Sequence, residues 1–203
     1  MLRRWRVMLA ALALAVLVPA GATFAATEAP KQVIEDFYAT LLKAMHGGAK
    51  LGYQGRYRLL APSIDKTFDI SFMARSSVGS YWDSMSPAQR KGLTDAFRGF
   101  TVANYAHAFD DFGGEKFITG SEKTTPRNDV IVYTTLVKSD GGKVALNYLL
   151  RDDAGEPKVI DVYLDGAISQ LAVRRSEYTS IIREKGLDAL IAAINKKAQD
   201  LAH

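Results

Sequence analysis

Residues 129–165, DVIVYTTLVKSDGGKVALNYLLRDDAGEPKVIDVYLD, decide the fold. The first part, residues 129–138, is a run of β-branched and apolar side chains, which favours a strand. Ser139-Asp140-Gly141-Gly142 supplies the positive-φ residues that a tight hairpin requires. The next segment alternates, with Val144, Leu146, Tyr148 and Leu150 on one face. Asp152-Asp153-Ala154-Gly155 turns the chain again, and a third segment places Ile160, Val162 and Leu164 on one face. Residues 115–120 are a further strand candidate. Hairpin links of this kind predict an antiparallel meander of about four strands.

Helical patterns flank the meander. Pro30 opens a helix in which Val33, Ile34, Phe37, Tyr38, Leu41, Leu42 and Met45 recur at spacings of three and four, and Gly47-Gly48 is expected to end it. Pro62 is expected to split residues 51–72 into two short helical pieces. Another short helix is expected over residues 73–82. Ser86-Pro87-Ala88-Gln89 is a strong helix start, combining a capping serine, a proline at the first helical position and a glutamine that reaches back. That helix carries Leu93, Phe97, Phe100, Val102, Tyr105 and Phe109 up to Gly113-Gly114. After the meander, residues 168–185 form a helix that stops at Gly186. Leu187, Leu190, Ile191, Ile194, Ala198 and Leu201 then mark a final amphipathic helix. The plan is α+β: a curved antiparallel sheet whose apolar face several helices must cover.

The chain has 203 residues, 48% apolar and 24% charged, with no cysteine. That composition is globular and excludes a disulfide scaffold, a thiolate metal site and a catalytic cysteine. Arg3, Arg4 and Arg6 precede an unbroken apolar run of 12 residues at 7–18, and small residues follow at Ala20, Gly21, Ala22, Ala25 and Ala26. These are the three parts of a secretory signal peptide, expected over residues 1–25 with cleavage between Ala22 and Ala26. A single domain, residues 26–203, follows. The net charge is +4, and three of those charges are the leader's arginines, which leaves +1 for the mature chain. A nucleic-acid binder should carry a basic stripe, and this chain has none, so nucleic acid is not an expected partner.

The motifs of common chemistries are missing. There is no Gly-x-Ser-x-Gly elbow, no phosphate-binding glycine loop and no His-Glu-x-x-His. The histidines are His46, His107 and His203. The adjacent pairs Asp110-Asp111 and Asp152-Asp153 precede glycines and suit chain turns better than an acid/base dyad. Asp65 and Asp69 lack fixed metal-binding neighbours, so no metal site and no cofactor are expected. Aromatic residues make up 10% of the chain. Phe72, Tyr81, Trp82, Phe97, Phe100, Tyr105, Phe109, Tyr148, Tyr163 and Tyr178 are expected to converge on the interior.

Three stretches carry a resemblance: RYRLLAPSIDKTFDISFMARSSVGSYW (residues 56–82), SPAQRKGLTDAFRGFTVANYAHAFDDF (residues 86–112) and VIDVYLDGAISQLAVRRSEYTSIIREKGLDALIAAINKK (residues 159–197). In order, they resemble the MlaC-type, or toluene-tolerance auxiliary, family, and most of all the hopanoid-biosynthesis-associated HpnM subgroup. The resemblance implies a nuclear-transport-factor-2-like cone enclosing an apolar cavity. It also implies a soluble, monomeric, non-enzymatic periplasmic carrier of phospholipid or hopanoid-type lipid. The implied partners are an inner-membrane MCE-domain protein with its ABC transporter and an outer-membrane lipoprotein complex. Such a carrier needs a dry hollow, because each methylene moved out of water is worth about 0.8 kcal/mol.

Strand parity and helix spacing, combined with that architecture, give a candidate cavity wall: Phe72, Val78, Tyr81, Phe100, Tyr105, Phe109, Leu146, Tyr148, Leu150, Val162, Leu164, Ile168 and Leu171. Arg174 and Arg175 are placed near the mouth, where a phosphate headgroup or an acidic partner would meet them. The rival expectation is an enzyme of the same fold class, using His107 with Asp110 or Asp111. It requires His107 to face the cavity.

Overall fold

The computed structural model describes residues 29–153 and 155–202. The expected signal peptide lies outside them, as does His203. Helix α1 (Pro30–Thr67) buries Val33, Ile34, Phe37, Tyr38, Leu41, Ala44 and Met45 along its first half. It kinks where Gly48 (φ 37°) and Gly52 (φ 60°) take left-handed conformations that side chains resist. Pro62 does not split the second half. The helix runs through it to Thr67 because Leu60 and Ile64, on either side, are fully buried. Packing there outweighs the one hydrogen bond that proline forgoes.

Arg56, buried in the second half of α1, locks the kink. Its Nε donates to the Ala106 carbonyl at 2.9 Å and its Nη1 to the Gly48 carbonyl at 3.1 Å. One guanidinium thus satisfies carbonyls at two helix ends, where the backbone dipole favours a cation.

The single helix expected over residues 73–82 is two. Asp69 caps α2 (Ile70–Val78) by accepting from the Phe72 N–H, which starts it early. Gly79 (φ 57°) then separates it from α3 (Tyr81–Ser84). Helix α4 (Pro87–Ala108) begins with the expected reciprocal cap between Ser86 and Gln89. It ends at Phe109, before the glycine pair.

Among the described residues the sheet has five strands, where about four were expected. They are β1 (Lys116–Thr124), β2 (Val130–Val137), β3 (Lys143–Asp153), β4 (Glu156–Leu164) and β5 (Ile168–Ser169), antiparallel neighbours in that order. Strand β1 is longer than expected and shifts register between Thr119 and Glu122. Gly120 lies within that bulge, where a Cβ would sit 3.1 Å from the Tyr133 carbonyl oxygen. Ile168 and Ser169 pair with Leu164 and Tyr163, so α5 (Gln170–Lys185) starts two residues later than expected. Helix α6 (Leu187–Asp200) follows.

The pairing register defines the sheet's inner face. Val132 opposes Tyr148, Leu136 opposes Val144, Tyr148 opposes Val162, and Leu146 opposes Leu164. Between Leu149 and Leu150 the β3–β4 register slips, so Leu150 opposes Val159. This corrects the expected face of β4: Val159, not Ile160, continues the line of Val162 and Leu164 into the core. The first half of α1 covers one end of this face, with Phe37 and Tyr38 edge-on to Tyr148. α4, α2 and α5 stand over the other end.

Candidate functional site

Over β3 and β4 the helices and the sheet do not close. A half-open cavity of about 410 Å³ remains between them. Its helical wall is one stripe of α4, with Phe97, Phe100, Thr101, Asn104, Tyr105 and Ala108, continued by Phe109. Phe68 and Met73 close one end. The sheet wall is Leu136, Val144, Leu146, Tyr148, Val162 and Leu164, and α5 adds Gln170, Leu171 and Arg174. Among the described residues, the lining contains no carboxylate and no imidazole.

The start of α5 is tied to the sheet. The buried Asp161 carboxylate accepts from the Ser169 hydroxyl at 2.5 Å, the Val162 N–H at 2.8 Å and the Leu171 N–H at 3.0 Å. Ser169 in turn caps α5 by accepting from the Ala172 N–H. This anchored turn fixes Arg174, whose guanidinium lies 4.5 Å from the centroid of the Phe100 ring. Its Nη1 is 3.5 Å from the Glu177 carboxylate. Arg174 is thus a half-buried cation at the edge of an apolar hollow.

Tyr105 and Tyr148 stand in the wall, and Tyr38, outside the lining, is edge-on to Tyr148. The Tyr38 and Thr134 hydroxyls are 2.5 Å apart, and Thr134 donates to the Leu146 carbonyl. Tyr38 also stacks on Phe117 at 4.4 Å. Burial pushes Tyr38 up to about 12, and it raises Tyr105 and Tyr148 beyond the ordinary phenol value. The phenols of the wall are therefore uncharged at any physiological pH.

Of the expected wall residues, Phe100, Tyr105, Phe109, Leu146, Tyr148, Val162, Leu164 and Leu171 line the cavity, as does Arg174. Five do not. Val78 and Leu150 are buried in the solid core. Tyr81 packs against that core from outside. Phe72 turns away from the hollow, with its ring 4.8 Å from the Arg151 guanidinium. Ile168 is 49% exposed at the rim, directly opposite Leu164. Arg175 lies over Gly79, away from the lining. Trp82 is half-buried against the core, outside the cavity lining, with the Arg90 guanidinium over its ring. Tyr163 alternates to the far face of β4 from Val162 and Leu164. His107 is exposed and absent from the lining, so the geometry required for catalysis through it is not met.

The wall residues outside the candidate set are Phe68, Met73, Phe97, Thr101, Asn104, Ala108, Leu136, Val144 and Gln170. The α4 members were readable, since Phe97, Phe100, Thr101, Asn104, Tyr105 and Ala108 follow helical spacing. So was Leu136, which shares the parity of Val132. Phe68 carried no periodic signal, because it follows the end of α1 and is placed by a backbone bridge to Val159.

Comparison with known proteins gives two findings. Residues 32–196 match the family described as MlaC protein. The fold is similar to that of a phospholipid-binding protein from Ralstonia solanacearum, solved in complex with a phospholipid. The TM-score is 0.76 at 19% identity, over 87% of this chain and all of that one.

Proposed function

The chain belongs to the MlaC family, and from that premise we propose that it is a carrier of phospholipid whose hydrocarbon lies in the cavity between α4, α5 and the sheet. The observation that supports this most directly is the apolar, half-open hollow of about 410 Å³ itself. Protein interiors pack densely with few large voids, and an apolar pocket of this size is where a ligand is first sought. A methylene fills roughly the volume of a water molecule, about 30 Å³. The hollow therefore suits one chain of about 14 methylenes, worth about 11 kcal/mol gross at 0.8 kcal/mol each.

Arg174 supplies the polar end. A phosphate at the rim would take its guanidinium from Glu177 in a charge-assisted hydrogen bond, while Phe100 holds the arginine in place. Gln170, also in the lining, offers an amide donor beside it. No chemistry on the lipid is required. We further propose that the mature domain, from residue 26 on, works as a monomer in the periplasm. It would receive and deliver lipid at an inner-membrane MCE-domain protein with its ABC transporter and at an outer-membrane lipoprotein complex. Hopanoid-type lipid is an alternative cargo with the same apolar body.

The experiment is lipid analysis of protein purified from a bacterial periplasm. Mass spectrometry should find bound phospholipid or hopanoid, and delipidated protein should take up phospholipid from vesicles. Delipidated, folded protein that acquires no lipid would refute the carrier assignment.

A further inference from the structure

A chain of hydroxyls runs from the cavity wall into the sheet. Thr134 donates to the Leu146 carbonyl, which can only accept. That spends the one proton the threonine hydroxyl has. The Tyr38 phenol, 2.5 Å away, must then donate to Thr134. Tyr38 is left with lone pairs alone, and the phenol facing it is that of Tyr148. Tyr148 therefore donates to Tyr38 and accepts from its other hydrogen-bond partner, Tyr105. The protons run out at that point. Tyr105 gives its own to Tyr148 and keeps an oxygen that can only accept. Tyr105 and Tyr148 both line the cavity. Three rings hold the Tyr105 side chain in place: Phe37 at 5.2 Å, Phe68 at 5.8 Å and Phe109, stacked, at 5.8 Å. Along α4, Tyr105 lies five residues beyond Phe100, the ring under Arg174. It therefore meets the hydrocarbon of a ligand rather than the group held by the arginine.

We propose that the Tyr105 oxygen is a subsite for a hydroxyl on the hydrocarbon of the bound lipid. The ligand class is a lipid with an alcohol group along its apolar body, as distinct from one interrupted by a ketone or an ether. A hydroxyl brings the proton that the chain of phenols lacks. A ketone or ether oxygen would set lone pair against lone pair, and would lose its hydrogen bonds to water with nothing in return. The subsite rests on the carrier assignment above.

The test is displacement of a fluorescent fatty acid from delipidated protein by tetradecanoic acid and by its monohydroxy, keto and methoxy derivatives, substituted at successive carbons. Each derivative is read against the plain acid on the same protein. At most positions a buried, unpaired hydroxyl should weaken binding about tenfold or more. At the position that meets Tyr105 the hydroxy acid should bind at least as tightly as the plain acid, and its keto and methoxy counterparts about tenfold more weakly. Tyr105→Phe should abolish that exception. Tyr148→Phe keeps the Tyr105 oxygen but takes away the acceptor of its proton, so it should turn the preference toward the keto acid. It carries the test if the first variant does not fold. Three results overturn the subsite and leave the carrier assignment standing: hydroxy acids weakened alike at every position, an exception that survives Tyr105→Phe, or a preference that Tyr148→Phe leaves unchanged. Wild-type protein that binds neither the plain acid nor any derivative overturns both.

Discussion

Val162→Trp separates a hollow from a solid core. Val162 is half-buried at the middle of β4, opposite Tyr148, and its side chain lines the cavity. In a packed interior, a tryptophan there would cost 1–3 kcal/mol or more in strain. In a hollow of about 410 Å³ the indole has somewhere to go. It adds roughly 90 Å³ of side chain, and at about 24 cal/mol per Å³ of void filled it stabilises by up to about 2 kcal/mol before losses to strain. The same volume is taken from the ligand: about three methylenes, or about 2.4 kcal/mol, which is roughly 60-fold in affinity. Urea denaturation should therefore show a midpoint equal to or above wild type at unchanged slope. Displacement of a fluorescent fatty acid should show weakening by one to two orders of magnitude. Leu150→Trp, on the same sheet face but in the solid core, is the control and should lower the midpoint. Destabilisation of both variants alike, with binding that falls only as the unfolded fraction rises, would refute the reasoning.

Three further outcomes follow from particular groups. Arg56→Met leaves the Ala106 and Gly48 carbonyls without their donor and should cost about 2–3 kcal/mol in urea denaturation. Burial raises Tyr38 and Tyr178 from 10 to about 12, so the unfolded chain loses these protons first as pH rises. Stability should hold up to pH 10 and fall between 10 and 12 by about 2–3 kcal/mol per group, and Tyr38→Phe should flatten part of that fall in a pH series of melts. Arg174→Gln should weaken binding of an anionic lysophospholipid several-fold, with an effect that shrinks in high salt, while a monoacylglycerol of the same chain binds as to wild type.

The sheet was legible because its signals are local. Gly141 takes φ 84° in the turn the sequence marked, with the Lys138 N–H donating to the Gly142 carbonyl at 2.7 Å. Val144, Leu146, Tyr148 and Leu150 hold the parity read from alternation. The errors lie where partners distant in sequence decide. Pro62 marks a break on its own, yet α1 continues because the core holds the turns on both sides of it. Ile160 has the right parity for an even strand, but the slip opposite Leu150 hands its place to Val159. No pattern within β4 announces that slip, since it is a relation between two strands.

The candidate wall failed in a more instructive way. A cavity wall and a packed core call for the same side chains at the same period, so Leu150 and Leu146 are indistinguishable in the sequence. One is sealed against Val132 and Val159 in the core cluster; the other faces a gap. What distinguishes them is how far the helix opposite stands off. The first half of α1 comes down onto the sheet, where Phe37 and Tyr38 meet Tyr148. α4 is held elsewhere, by Arg56 at its end and by α6 along its outer flank, with Leu93, Leu190 and Ile194 in one cluster. α5 is held by Asp161. The hollow is therefore maintained by contacts outside it: a buried guanidinium, a capped helix start and a helix pair that packs on the side away from the sheet. Stability and capacity are thereby separable in this fold. Leu150 supports the first from within the solid core, and Val162 bears on the second because its side chain lines the hollow.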